Sequence, residues 1–202
     1  AAIYNQLLAD KTLADREEEI LQRWTSALHL SGDYNESDKA ALKFQERFPQ
    51  STLMPAVLFS MAENSYFRIL ALEKNPNQAE RSKDLPKLFE ETTKRFQRVI
   101  EKYPEFAKIN VARYSLGLTY YRQGDLPNAM KAFSSIPAPD RGGELGLTPY
   151  LIADCLLRQV PATVPDDALA AGKMEEQLKG AAEALEAFIG GQGKDPNVPE
   201  AL

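Results

Sequence analysis

Residues 114–133, YSLGLTYYRQGDLPNAMKAF, limit what this chain can fold into more than any other stretch. Leu116, Gly117 and Tyr120 recur at helical spacing on one face, Gly124-Asp125 breaks the helix, and Ala129 and Phe133 form the inward stripe of a second helix. The stretch is a helical hairpin, and the rest of the chain repeats that unit less clearly. The expected fold class is therefore all-α, an α-α superhelix of antiparallel helix hairpins.

Taken in order, residues 1–10 carry Ile3, Leu7 and Leu8 on one helical stripe with no capping residue before it. A helix over 12–30 should turn Leu13, Ile20, Leu21, Trp24 and Leu28 inward and end at Gly32-Asp33, the same signal as Gly124-Asp125. Its partner covers 37–48. Phe48-Pro49 and Tyr103-Pro104 are aromatic-proline stops that mark the ends of two hairpins. Between them, a helix begins at Pro55, with Leu58, Met61, Ala62 and Ser65 inward, and a second spans about 85–103 on a stripe including Phe89, Phe96 and Val99. The polar residues 73–84 read as an extended loop, and 136–146, with two prolines and three glycines, as irregular. A last hairpin is expected from helices over 149–158 and 174–189, the second with Leu178, Ala181, Leu185 and Phe188 inward and Gly190-Gly191 as its stop. The hairpins are thus 12–50, 52–105, 107–137 and 147–190 of one array over 1–202. The ending DPNVPEAL resembles the opening of a further first helix, so the expectation is a fragment of a longer array.

The order of leucine, glycine, tyrosine, alanine and phenylalanine in 114–133 resembles the tetratricopeptide repeat, a family of paired antiparallel helices stacked into a solenoid. Leu21, Trp24, Leu28, Gly32, Ala41, Phe44 and Pro49 fall on its marked positions, with Thr25 in place of the small glycine and Ser37 in place of the usual alanine. The aromatic-proline stops, with the ending from Phe96 to Pro104, are similar to a bacterial envelope branch that includes the periplasmic Tol-associated coordinator and the outer-membrane barrel-assembly lipoprotein. That resemblance implies a non-catalytic scaffold in the cell envelope or periplasm. In the family, first helices line a concave groove, reached by the fifth, ninth, twelfth and thirteenth positions among others. With Met61, Leu116 and Ile152 as seventh positions, the resemblance implies a groove of Phe59, Glu63, Tyr66 and Phe67, then Tyr114, Leu118, Tyr121 and Arg122, then Tyr150, Asp154, Leu157 and Arg158. The expected partner is a peptide or protein segment, with aromatics as anchors and Arg122 and Arg158 orienting it. The lysine-asparagine set that clamps a C-terminal carboxylate in chaperone-binding relatives is missing.

A net charge of -5, with charges mixed along helices as in Glu90/Lys94 and Glu91/Arg95, argues against a nucleic-acid surface. No apolar run approaches the roughly 18 residues a membrane span needs. No catalytic or metal-binding residue and no cofactor is expected. His29, the single histidine, lacks a second for a metal pair or triad and reads as a helix C-terminal or groove residue. Cys155, the single cysteine, sits among Ile and Leu as a small buried hydrophobe. Residues 190–194, GGQGK, lack the spacing of a phosphate-binding loop, and Asn35-Glu36-Ser37 matches a glycosylation acceptor only by pattern. The alternative functions are a structural or assembly subunit binding through its ends, discriminated by an exposed apolar terminal face, and an accessory repeat domain of a larger enzyme.

Overall fold

A computed structural model describes residues 2–9 and 11–191. Its helices are α1 (Ala2–Ala9), α2 (Glu17–Leu30), α3 (Tyr34–Arg47), α4 (Met54–Glu73), α5 (Gln78–Lys102), α6 (Ile109–Gln123), α7 (Leu126–Ser134), α8 (Thr148–Leu157) and α9 (Ala168–Gly191). Short 3-10 turns occupy Lys11–Arg16, Ala138–Asp140 and Gly143–Leu145, and no strand occurs among the described residues. The fold is all-α, with helices packed in neighbouring pairs as in a helical repeat. It divides into two compact units, 1–112 and 113–202.

In the first unit α2 pairs with α3 and α4 with α5, and α4 also packs on α2 and α3. Leu21, Phe44, Val57, Ile69, Phe96 and Val99 are fully buried in this unit. In the second, α8 packs on both α7 and α9. Ala129, Phe133, Ile152 and Cys155 form a core there against which Tyr114, Leu118 and Tyr121 lie half-buried.

The two Gly-Asp turns are built alike. Gly32 has φ 80° and Gly124 φ 82°, a backbone state that glycine alone adopts without strain. At the first turn the amides of Gly32 and Asp33 donate to the carbonyls of His29 and Leu28; at the second those of Gly124 and Asp125 donate to Tyr121 and Tyr120. These are the paired bonds that close a helix C-terminus. Asp33 and Asp125 then cap the next helix, accepting from the amides of Glu36 at 3.4 Å and Asn128 at 3.3 Å.

Where α2 and α3 depart from the repeat pattern, the departures compensate each other. Thr25 and Ser37 are both fully buried. Thr25 Oγ1 donates to the Leu21 carbonyl at 2.9 Å and Ser37 Oγ to the Thr25 carbonyl at 3.0 Å. Two extra hydroxyls are thus satisfied where the pattern has glycine and alanine. The bond also commits Ser37 to the interior.

Several expected elements differ. The loop expected at 73–84 shrinks to the turn between Glu73 and Gln78, where Asn77 accepts from the Glu80 amide at 3.2 Å and starts α5 seven residues before the expected Leu85. Pro86 lies inside α5. The helix expected over 12–30 is divided: Arg16, at φ −107° and ψ 7°, sets α2 off from the preceding 3-10 turn, and Leu13, at φ −108° and ψ 17°, kinks that turn. The helix expected from 174 begins at Ala168, and Leu178, expected inward, is 41 % exposed. The expected further first helix at 195–202 and most of the loop at 190–194 lie outside the described residues.

Candidate functional site

The first helices of consecutive hairpins meet twice, and each time the same three positions come together. Within the first unit, α4 lies beside α2. His29, three residues before the turn glycine of its hairpin, faces Glu63, with Nε2 3.3 Å from Glu63 Oε2. Phe67, one helical turn beyond Glu63, places its ring 5.9 Å from the imidazole at 46°. Within the second unit, Tyr121, also three residues before its turn glycine, donates its hydroxyl to Asp154 Oδ2 at 2.5 Å. Arg158, one turn beyond Asp154, places its guanidinium 5.0 Å from the Tyr121 ring centroid and pairs with Asp154 through Nε at 2.8 Å. A ring on one first helix thus meets an acid on the next, and a cation or second ring one turn later covers that ring. The arrangement holds each ring in place between neighbouring first helices.

The His29 imidazole is aimed by a chain of hydrogen bonds behind it. A carboxylate only accepts, so Asn64 turns its amide nitrogen to Asp38 Oδ1, at 2.8 Å, and its oxygen to His29 Nδ1, also at 2.8 Å. The Nδ1 proton therefore points inward and Nε2 points at Glu63. Asp38 itself is buried and is shared by Arg68 and by Arg95, the latter at 2.8 Å. Arg95 also donates to the Met61 carbonyl at 2.6 Å and pairs with Glu91 at 2.5 Å. One aspartate on α3 thereby ties α4 to α5.

In the second unit burial comes first in raising the Tyr121 phenol to about 12, and the Asp154 carboxylate adds to it. The hydroxyl stays a hydrogen-bond donor across the physiological range. Asp154 in turn raises the Arg158 guanidinium. Burial pushes the Cys155 thiol up to about 11, so it is a thiol packed in the core and not a thiolate nucleophile. Among the described residues no three His, Cys, Asp or Glu side chains gather as metal ligands.

The residues expected in the groove fall into four groups. Tyr121, Asp154 and Arg158 form one cluster, and Glu63 belongs to the equivalent one. Tyr66, Tyr114 and Tyr150 are half-buried, the first edge-on to Phe67, the second against Phe133 and the third against Phe188. Arg122 is exposed near the end of α6, and the Asp154 pairing is made by Arg158. Phe59 is the correction: at 3 % exposure it packs edge-on to Phe96 and against Phe106, because the long α5 brings Phe96 underneath it. His29, expected as a helix C-terminal or groove residue, supplies the ring of the first cluster, and its place three residues before Gly32 matches that of Tyr121 before Gly124. The close neighbour of Gly117 is Phe133: a Cβ on Gly117 would lie 2.4 Å from Phe133 Cε1.

Compared with curated proteins, the chain matches none. Residues 111–138, most of α6 and all of α7, match the family model described as a tetratricopeptide repeat, and this match supports that family for the chain.

Proposed function

We propose that this chain is a non-catalytic protein-interaction scaffold that takes a peptide or protein segment along the first helices of its hairpins. Repeats of the matched family generally mediate protein–protein interaction. The observation that supports the reading here is the repeated cluster: His29 with Glu63 and Phe67, and Tyr121 with Asp154 and Arg158, present pinned aromatic surface and charge at equivalent places on first helices. Structural economy alone does not call for it, since α2–α3 and α6–α7 are already closed by their Gly-Asp turns and each unit has its own apolar core. The aromatic-proline stops support a setting in the bacterial envelope. No described helix is long and apolar enough to cross a membrane. The acidic balance favours protein over nucleic acid as partner.

Peptides selected by this protein from a random display library test the reading. Replacing both Tyr121 and Arg158 by alanine should weaken a selected peptide that contacts this cluster by about thirtyfold, roughly 2 kcal/mol, with helicity unchanged. Equal affinity in every selected peptide would move the binding surface away from these helices.

A further inference from the structure

Beside the His29 cluster, within the first unit, is a cleft of about 480 Å³, a size that accommodates a small ligand or a few residues of a peptide. Its apolar side is made by Leu30 and Phe106 over the buried Phe59, its charged edges by Glu63 and Lys108, and Gln22, Ser26 and Ser60 add amide and hydroxyl groups. Leu30, the last residue of α2, is 83 % exposed, so its side chain is open to an occupant of the cleft. The Lys108 ammonium stands 5.6 Å from the centre of the Phe59 ring. Among the described residues no carboxylate lies within ion-pair distance of Lys108. An acidic group is therefore the complement that the Lys108 edge of this apolar cleft lacks.

We propose that this cleft is the docking site for an internal segment of a partner protein in which an acidic residue adjoins a large apolar one. The apolar side chain covers Leu30 and the edge of Phe106, the acid pairs with Lys108, and Gln22, Ser26 and Ser60 offer hydrogen bonds to the peptide backbone. An internal segment fits better than a chain end. Lys108 sits level with Phe59, whereas Glu63 lies one turn further along α4, about 6 Å away, so an occupant that continues past the apolar floor meets both edges. Charge complementarity sets the preference: a basic residue in place of the acid would face Lys108 across a low-dielectric surface. The proposal rests on the first-helix reading above and narrows it to one site and one class of sequence.

The experiment is a titration of the isotope-labelled chain with three blocked peptides, followed by amide chemical shifts: Ac-Gly-Glu-Trp-Gly-NH2, the same peptide with Lys for Glu, and N-acetyltryptophanamide. The Glu-Trp peptide should move the amides of residues 22–30, 56–63 and 106–108 and bind at least about fivefold tighter than the Lys peptide, a difference of about 1 kcal/mol. Lys108→Glu should reverse the order of the two peptides, and Leu30→Ser should weaken both. Equal affinity for the two peptides, an unchanged order in Lys108→Glu, or equal binding of N-acetyltryptophanamide, which would mark a small-molecule pocket, each overturns the proposal. So does absence of any shift in this cleft. Shifts at Tyr121, Asp154 and Arg158 instead would overturn the cleft and leave the first-helix reading standing, whereas shifts on α3 and α5 would overturn both.

Discussion

Gly117 and Phe133 occupy the same space: a single methyl on Gly117 would come within 2.4 Å of the Phe133 ring, and that ring is fully buried. The glycine is what lets α6 and α7 close on the phenylalanine. Gly117→Ala should gain about 1 kcal/mol of helix propensity. Displacing a ring with no room to move should cost about 1–3 kcal/mol, and the larger part of that range wins. Denaturant unfolding should show a net loss, and Phe133→Leu in the same chain should recover part of it. Additive losses in the double mutant would mean that the two residues do not share the site.

Ser37 offers a test in which repeat consensus and structure disagree. The family pattern favours alanine there, so consensus reasoning expects Ser37→Ala to stabilise. The bond from Ser37 Oγ to the Thr25 carbonyl, with both residues buried, predicts a loss of about 1 kcal/mol. A raised unfolding midpoint would favour the consensus.

Asp38 carries the polar tie between hairpins. Asp38→Asn keeps the shape and removes the charge that Arg68 and Arg95 share. Arg95 retains Glu91 and the Met61 carbonyl, so Arg68 is the group left without its counter-charge. Because both arginines keep some contact with water, the loss should be about 3 kcal/mol, the low end for breaking a buried pair. A loss below about 1 kcal/mol, the range of exposed pairs, would contradict this.

Tyr121 gives an alkaline signature. Its folded value, about 12, lies above its ordinary value of 10.0, so the folded state keeps a proton that the unfolded state releases. The corresponding stability is fully present below about pH 10 and is lost as pH rises towards 12. Cys155 and Tyr120 shift the same way, so the comparison is between wild type and Tyr121→Phe. The variant should show a shallower fall in stability between pH 10 and 12, measured by unfolding at each pH. Identical slopes would show that Tyr121 titrates as an exposed phenol.

The hairpin at 114–133 was legible because every local signal agrees: a buried stripe, a turn glycine with positive φ and an aspartate cap. The start of α5 was not. Residues 78–83 are exposed apart from a half-buried Arg81, so they carry no apolar period, and a solvated helix turn then looks like a polar loop. Leu178 misled in the opposite way, since an apolar residue at helical spacing on α9 stays largely exposed. The clusters were half legible. Repeat phase supplied Glu63, Tyr121, Asp154 and Arg158, but which ring meets which acid depends on how neighbouring first helices sit, and no single hairpin encodes that.

The most direct measurement of the account is an amide shift map of the labelled chain with a peptide selected against it. The account predicts perturbations concentrated on α2, α4, α6 and α8, including Glu63 or Tyr121 and their neighbours. Perturbations confined to α3, α5, α7 and α9, or to α1, with the first helices silent, would contradict it.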